Sequence, residues 1–455
     1  MTPPISNTHN DHPIVIVGAG WAGLAAAVSL IEAGKKVFLL EAAPQAGGRA
    51  RSIQFGEHLV DNGQHLLVGA YQQTLALLKT LNIPENTVLE RCSFNYHVMD
   101  LTHPRTPIQI QLSHYPKPWN LLNGIFHAKG LSLTEKLSAL KLGKLLFKKK
   151  YLPLERDISV YDFLIKHQQP ESLITKLWNP LALAALTTPI KKASAEVFLK
   201  VLIDTLTQDP THSDWLIPKR DLNQVFPNPV IQYLAQHHST IQYHQRVQKL
   251  IIENGYCEGV QTENKFFPAQ SVILALPPQT TANLLQTISL PNDLPEHRLL
   301  VNQLEAFRYQ PITTVYLETK EPVNLPSPMM GLIHATGHWL FDRRLNNQAN
   351  ILSIVLSGEG AYRNLDPAEL IQSLLAELIP FSPALQHIVQ HRVITEKRAA
   401  FSCEVGSNYH RPTAKTPYPK LWLAGDYTQT GYPATLEGAV RSGIKAAEQV
   451  LLASV

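Results

Sequence analysis

The chain has 455 residues, of which 44% are hydrophobic and 17% charged, with a formal net charge of +4. That length is more than one simple core organises and predicts two lobes, while so small a charge gives no ground for a nucleic-acid partner. Cys92, Cys257 and Cys403 lie far apart without a Cys-x-x-Cys pair, which argues against a disulfide framework or thiolate metal site and for a reducing compartment. Nineteen histidines form no His-Glu-x-x-His or comparable cluster, so no metal is expected. The stretch from Met1 to His12 is polar and lacks an apolar signal core, which predicts a cytoplasmic protein with no spanning segment.

The first motif is a strand, Val15-Ile16-Val17, running into Gly18-Ala19-Gly20-Trp21-Ala22-Gly23 and an alanine-rich helix. A second strand, Val37 to Leu40, then ends at Glu41. Gly18 permits the tight turn, Gly20 lets the backbone approach a pyrophosphate, and Gly23 lets helix and strand pack closely. Gly20, Trp21 and Ala22 open the helix, whose unpaired N–H groups and positive dipole end suit phosphates. Glu41 stands where a carboxylate accepts hydrogen bonds from a ribose 2′-OH, and it would repel a 2′-phosphate. Ile14 to Ile31 is uncharged and long enough for a membrane helix, but three glycines at motif spacing and the charges of Glu32, Lys35 and Lys36 argue against that. Gly47-Gly48-Arg49 follows: the glycines let the loop lie against a cofactor and the arginine reaches phosphates, which favours FAD over NAD.

Further along, Val60-Asp61-Asn62-Gly63-Gln64-His65 precedes a helical pattern from Tyr71 to Leu81. Lysine- and leucine-rich helices run from about Lys117 to Thr207, one opened by a Ser132–Glu135 capping box. Arg246 to Ile252 reads as a strand, Asn254-Gly255 as a hairpin turn, and Cys257 to Thr262 as the partner; Val247, at the head of this hairpin, is counted among the cofactor-lining residues. Ser271 to Leu276 is a buried strand stopped by Pro277-Pro278. Strands near Thr313 to Leu317 and Ile351 to Leu356 and a helix from Pro367 to Leu378 follow. Finally Leu421 to Asp426 is a strand ending in Gly-Asp, and Thr435-Leu436-Glu437-Gly438 opens the last helix. Gly425 and Asp426 suit a ribityl chain, and the helix start at Thr435, Leu436 and Glu437 suits a flavin pyrimidine.

These blocks resemble the amine-oxidase and phytoene-desaturase superfamily of FAD enzymes. Val60 to Tyr71, Trp215-Leu216-Ile217-Pro218 and Gly431 to Gly443 resemble more closely one branch, the squalene-associated FAD-dependent desaturases, understood as hydroxysqualene dehydroxylases. The resemblance implies an α/β fold: a Rossmann-like, glutathione-reductase-type FAD-binding domain, discontinuous over 12–70, 215–280 and 391–455. It would interleave with a mixed sheet-plus-helices substrate domain over 71–214 and 281–390. It also implies reductive loss of the hydroxyl of hydroxysqualene, a polyisoprenoid substrate, with electrons from an external donor. Pro218 is followed by Lys219, Arg220 and Asp221, where many desaturases carry Pro-x-Gly-Gly. An oxidative phytoene-desaturase-like or amine-oxidase-like enzyme shares the cofactor blocks; for the latter, Tyr427 and Tyr432 are the candidate aromatic pair.

The proton source is sought among Asp61, His65, Lys219 and Tyr432, with Asp61 and His65 as the catalytic candidates. Each of those two also fits a structural role, the aspartate tying down its loop and the histidine packing beside the flavin. Lys136, Lys141, Lys144, Lys148 and Lys149, interleaved with leucines and with Glu135 as the lone acid, read either as a helix on an anionic membrane or as a solvated face.

Overall fold

A computed structural model describes residues 12–148, 154–288 and 294–453. Lys149 and residues 1–11 of the polar N-terminus lie outside the described residues. At the centre is a five-stranded parallel sheet in the order Thr240–Gln242, Val37–Leu40, Ile14–Val17, Ser271–Leu274 and Leu421–Leu423. Its inner strands read as unbroken apolar runs because both faces are covered. The two-residue period divides them cleanly: Ile14 and Ile16 join one apolar cluster, Val15 and Val17 another.

On the first face lie the helices Trp21–Glu32, Pro227–Gln236 and Leu436–Ala453. Gly443 lets the last approach the first, since a Cβ there would stand 2.1 Å from the Ala22 carbonyl oxygen. The other face carries a three-stranded sheet, Val247–Glu253, Tyr256–Thr262 and Phe266–Pro268, through Leu250, Val260 and Phe267. Its first hairpin turns at Asn254 and Gly255, both at positive φ as a two-residue turn of that kind requires.

The second half is built on a seven-stranded mixed sheet. Its order is Ile388–Phe401, Tyr309–Thr319, Ile351–Ser357, Trp339–Asp342, Met329–Ile333, Asn95–Asp100 and Ile108–Gln111. The helix Pro367–Leu378, opened by an Asp366–Glu369 capping box, buries Leu370, Leu374 and Leu378 in this half's core. Helices between Trp119 and Leu206 form the remaining layer, and the Ser132–Glu135 capping box is present. Two stretches sit across the expected lobe boundaries. The helix Gln72–Thr80 packs on Leu436–Ala453, beside the parallel sheet. Residues 391–401 are the body of a strand paired with Tyr309–Thr319, in the other half.

Candidate active site

The turns after Val17, Leu40, Leu274 and Leu423 all open at the carboxyl ends of the parallel strands, where a doubly wound sheet forms its ligand crevice. Gly18 has φ +105°, and a Cβ on it would meet the Ala275 carbonyl oxygen at 2.4 Å. A Cβ on Gly23 would stand 2.0 Å from the Gly18 oxygen. Gly20 differs: its nearest neighbour would be the Gly48 Cα at 4.0 Å, so the chain is bare there for a reason other than packing. Gly20 caps the helix without a side-chain acceptor, and the first helical bond runs from the Leu24 N–H to the Gly20 carbonyl. The N–H groups of Trp21, Ala22 and Gly23 are thus left for a ligand. The Trp21 ring is turned away, buried against Phe226 with centroids 4.6 Å apart.

Glu41 is fixed by main chain: Oε2 accepts from the Ala19 N–H at 2.7 Å and Oε1 from the Ala43 N–H at 2.8 Å. Each carboxylate oxygen keeps a further lone pair for a ribose hydroxyl. The Gln245 N–H donates to the Glu41 carbonyl at 2.9 Å, which brings the segment leading into Val247 beside the acid. At the other end of the crevice the Arg49 guanidinium pairs with Asp426 at 2.7 Å and donates to the Ala399 carbonyl at 2.9 Å. The Gly425 N–H is held by Ser442 Oγ at 2.8 Å, and a Cβ on Gly425 would strike the Tyr427 ring at 2.3 Å. Thr435 caps the final helix, Oγ1 accepting from the Gly438 N–H at 3.1 Å, and Leu436 is half-buried at its start.

Glu437, like Trp21, turns its side chain away from the crevice. Fully buried, it accepts from the N–H groups of Gln73 and Thr74 at 3.1 and 3.0 Å and from the Thr74 hydroxyl at 2.8 Å. Arg441 Nε completes the set at 2.8 Å. The carboxylate therefore caps the helix Gln72–Thr80, where its charge complements the exposed amide dipoles. Only its backbone remains for a flavin.

The Asp61-to-His65 block lies between the two halves. Asp61 is buried and accepts from the Leu222 N–H at 2.8 Å, while its carbonyl accepts from the Tyr316 hydroxyl at 2.9 Å. Burial pushes its carboxyl up to about 7, against the opposing pull of the Leu222 bond and Arg343. His65 Nδ1 is 2.6 Å from the Gly63 carbonyl, a distance that assigns the proton to that nitrogen. Burial lowers its pKa, the Gly63 bond opposes this, and the charge of Arg49 lowers it further. The ring is thus neutral at pH 7, with Nε2 as its basic nitrogen.

The other two proton-source candidates are taken up elsewhere. Lys219 Nζ lies 3.2 Å from both the Asn86 carbonyl and Glu90. The Tyr432 hydroxyl is bound to Asp204, and its ring lies under Arg441 at 4.2 Å. Tyr427 packs instead on Phe307, centroids 5.6 Å apart, so the two tyrosines are held by different neighbours.

Sequence reasoning missed two buried arginines. Arg411 donates to the carbonyls of Asp426, Tyr432 and Tyr427 at 2.6, 2.6 and 3.2 Å and to Thr430 Oγ1 at 2.8 Å. It thereby fixes the loop from the Gly-Asp strand end to the last helix. Burial lowers its pKa to about 10, which leaves it charged at pH 7. Arg343 donates to Gln64 Oε1 at 2.8 Å and to Gln348 at 2.7 Å, anchoring the Asn62–His65 block. No local pattern marks either one, because the carbonyls Arg411 binds lie 15 to 21 residues away and Gln64 lies 279 residues from Arg343.

A bare helix N-terminus, an acid with lone pairs left for a ribose and an arginine-aspartate pair at the far end of one crevice give the form of a dinucleotide-binding site. A Cβ on Gly48 would stand 3.1 Å from the Gly20 Cα and fill the gap between the two loops, so the cradle fits FAD. Residues 21–451 match the family of flavin containing amine oxidoreductases, and the chain belongs to that family. It is an FAD-dependent oxidoreductase. It is 27% identical over 442 residues to a hydroxysqualene dehydroxylase of Zymomonas mobilis, covering 96% of this chain and 98% of that protein. With a hydroxysqualene dehydroxylase of Rhodopseudomonas palustris the identity is 28% over 445 residues, with the same coverages. An oxidoreductase from Methanosarcina mazei shares the fold, with TM-score 0.74, 17% identity, and coverage of 96% of this chain and 100% of that one.

Proposed function

We propose that the chain catalyses the FAD-dependent reductive dehydroxylation of hydroxysqualene to squalene, in squalene and hopanoid biosynthesis. The observation that carries this reading is the end-to-end match to hydroxysqualene dehydroxylases, 98% of their length in both cases above. When bound and reduced, FAD supplies the hydride. The allylic C–O bond breaks, a C–H bond forms at the same carbon, and the hydroxyl takes up a proton and leaves as water. Electrons come from an external donor.

The chain's own residues hold and orient. Glu41 suits the ribose, the first turn from Gly20 the pyrophosphate, and Arg49 with Asp426 the ribityl end. Arg411 keeps the Asp426–Tyr432 loop in place. For the proton that leaves with the hydroxyl, His65 is preferred: it is close enough to Arg49 for that charge to act on it, whereas Asp61 accepts from the Leu222 N–H. Because its pKa is lowered, His65 donates only after it has been charged. A polyisoprenoid substrate resides in lipid, so a peripheral position on a membrane is part of this reading.

The test uses FAD-loaded enzyme in detergent with hydroxysqualene or phytoene. Squalene formed from hydroxysqualene, and only after the enzyme is reduced, is expected. A more unsaturated product from phytoene with oxidised enzyme, and no squalene, would replace this reading with a desaturase.

A further inference from the structure

Six of the seventeen large apolar residues exposed among the described residues fall between 115 and 137: Tyr115, Trp119, Leu122, Phe126, Leu133 and Leu137. Trp119, Phe126 and Leu133 are 66%, 67% and 68% exposed, so most of each side chain's apolar surface is left outside the fold. They are not one helix's apolar stripe. Trp119–Phe126 and Leu133–Phe147 meet where Gly143 faces Leu121, a Cβ there coming within 3.1 Å of Leu121 Cδ2. Between them opens a groove of about 430 Å³, walled by Tyr115, Trp119, Leu122, Asn123, Phe126 and Leu140. Grouped exposure of this kind marks an interaction site.

Along residues 115–148 the charge is one-sided. Lys129, Lys141, Lys144 and Lys148 are exposed, and Lys136 reaches back to the Phe126 carbonyl at 2.8 Å. Glu135, the only acid between residues 115 and 148, is buried and neutralised by Lys176 at 3.0 Å. The lysines therefore have no acidic neighbour within this segment. Tryptophan and tyrosine favour the headgroup level of a bilayer, leucine and phenylalanine the acyl boundary, and lysines an anionic leaflet. Beneath the patch, Ile125, Leu142 and Leu146 belong to the same apolar cluster as Phe401 and Tyr427, the latter next to Asp426.

We infer that the two helices form a docking surface for an anionic phospholipid bilayer, in which Trp119, Phe126, Leu133 and Leu137 insert and the lysine rim sets lipid preference. This surface rests on the reading of a lipid-borne substrate only for its purpose, not for its chemistry. Among the described residues no helix is long and apolar enough to cross a membrane, so the contact is one of surface insertion.

The test is flotation of the FAD-loaded protein with phosphatidylcholine vesicles, with and without phosphatidylglycerol. Binding only to the anionic vesicles, released by high salt, is expected. Each lysine near such a surface raises partitioning by about fivefold, so Lys141→Glu with Lys144→Glu should lower it by about 25-fold or more. Trp119→Ser with Phe126→Ser should abolish insertion while the flavin spectrum and turnover of detergent-dispersed substrate stay unchanged. Hydrogen exchange of the unaltered protein supplies a reading free of variants, with residues 115–148 protected on adding anionic vesicles. A wild-type protein that stays at the bottom of the gradient would overturn the inference. So would variants that float equally well, or a dimer that Trp119→Ser converts to monomer. Loss of squalene formation in detergent, with vesicle binding intact, would instead count against the proposed reaction.

Discussion

Arg49 and Asp426, 377 residues apart in sequence, are joined by an ion pair of 2.7 Å. The pair ties the Gly-Gly-Arg loop to the strand end that leads into the last helix. Asp426 is in turn anchored from behind, its carbonyl accepting from Arg411 at 2.6 Å. One crevice is thereby closed by two segments that the chain order keeps far apart.

Gly20 and Gly23 should respond differently to a methyl group. Gly20→Ala meets nothing nearer than 4.0 Å and should fold with little change in stability, yet lose FAD affinity because the pyrophosphate approach is blocked. Gly23→Ala drives a Cβ to 2.0 Å from the Gly18 oxygen and should fail to fold or lose several kcal/mol, about 3 by overpacking alone. Denaturant unfolding and flavin titration of both variants separate the two roles.

Arg411→Met should strand three main-chain carbonyls in a buried loop. A loss of about 3 kcal/mol of stability is expected, together with weaker FAD binding. Arg411→Lys should recover little, since an ammonium cannot reproduce the planar fork of donors. Chemical denaturation and the FAD dissociation constant measure both effects.

Much of the cofactor half was legible because its signals are local. A strand, a glycine turn and a helix fit within residues 14–32, and the Asn254-Gly255 turn needs only its flanking strands. The Pro367–Leu378 helix was legible for the same reason, with its cap and periodicity side by side. The order of the seven-stranded sheet was not, since it places residues 388–401 beside 309–319 and 95–100 beside 329–333 through pairings that no local pattern encodes. Glu437 shows the same limit within the site. Its position in a Leu-Glu-Gly-Ala block suggested the flavin, but its partners at Gln73 and Thr74 lie more than 360 residues away.

Glu437→Gln gives that difference an observable. The carboxylate caps a helix and pairs with Arg441, so its neutralisation should cost about 2 kcal/mol of stability while leaving the flavin absorbance spectrum unchanged. A spectral shift at full stability would return Glu437 to the flavin.

Two pH profiles follow from the titrating groups. The Asp61 carboxyl binds its proton more tightly in the folded chain, at about 7, than in the unfolded one, near 3.8. Its contribution to stability is therefore complete below the lower value and is lost as pH rises through about 7. Asp61→Asn, which keeps an acceptor for the Leu222 N–H, should flatten unfolding free energy over that window. If His65 is the donor, the single-turnover rate should fall as pH rises through a value below 6.5, and His65→Gln should abolish that dependence. An inflection near 7 that survives in His65→Gln and disappears in Asp61→Asn would transfer the role to Asp61.

The most direct measurement is an anaerobic stopped-flow reaction of stoichiometrically reduced, FAD-loaded protein with hydroxysqualene in detergent, with products extracted after one turnover. Flavin reoxidation is expected to accompany squalene formation, one squalene for each reduced flavin. Flavin that stays reduced in the presence of verified substrate, with no squalene extracted, would contradict the dehydroxylase assignment while leaving the FAD-binding fold intact.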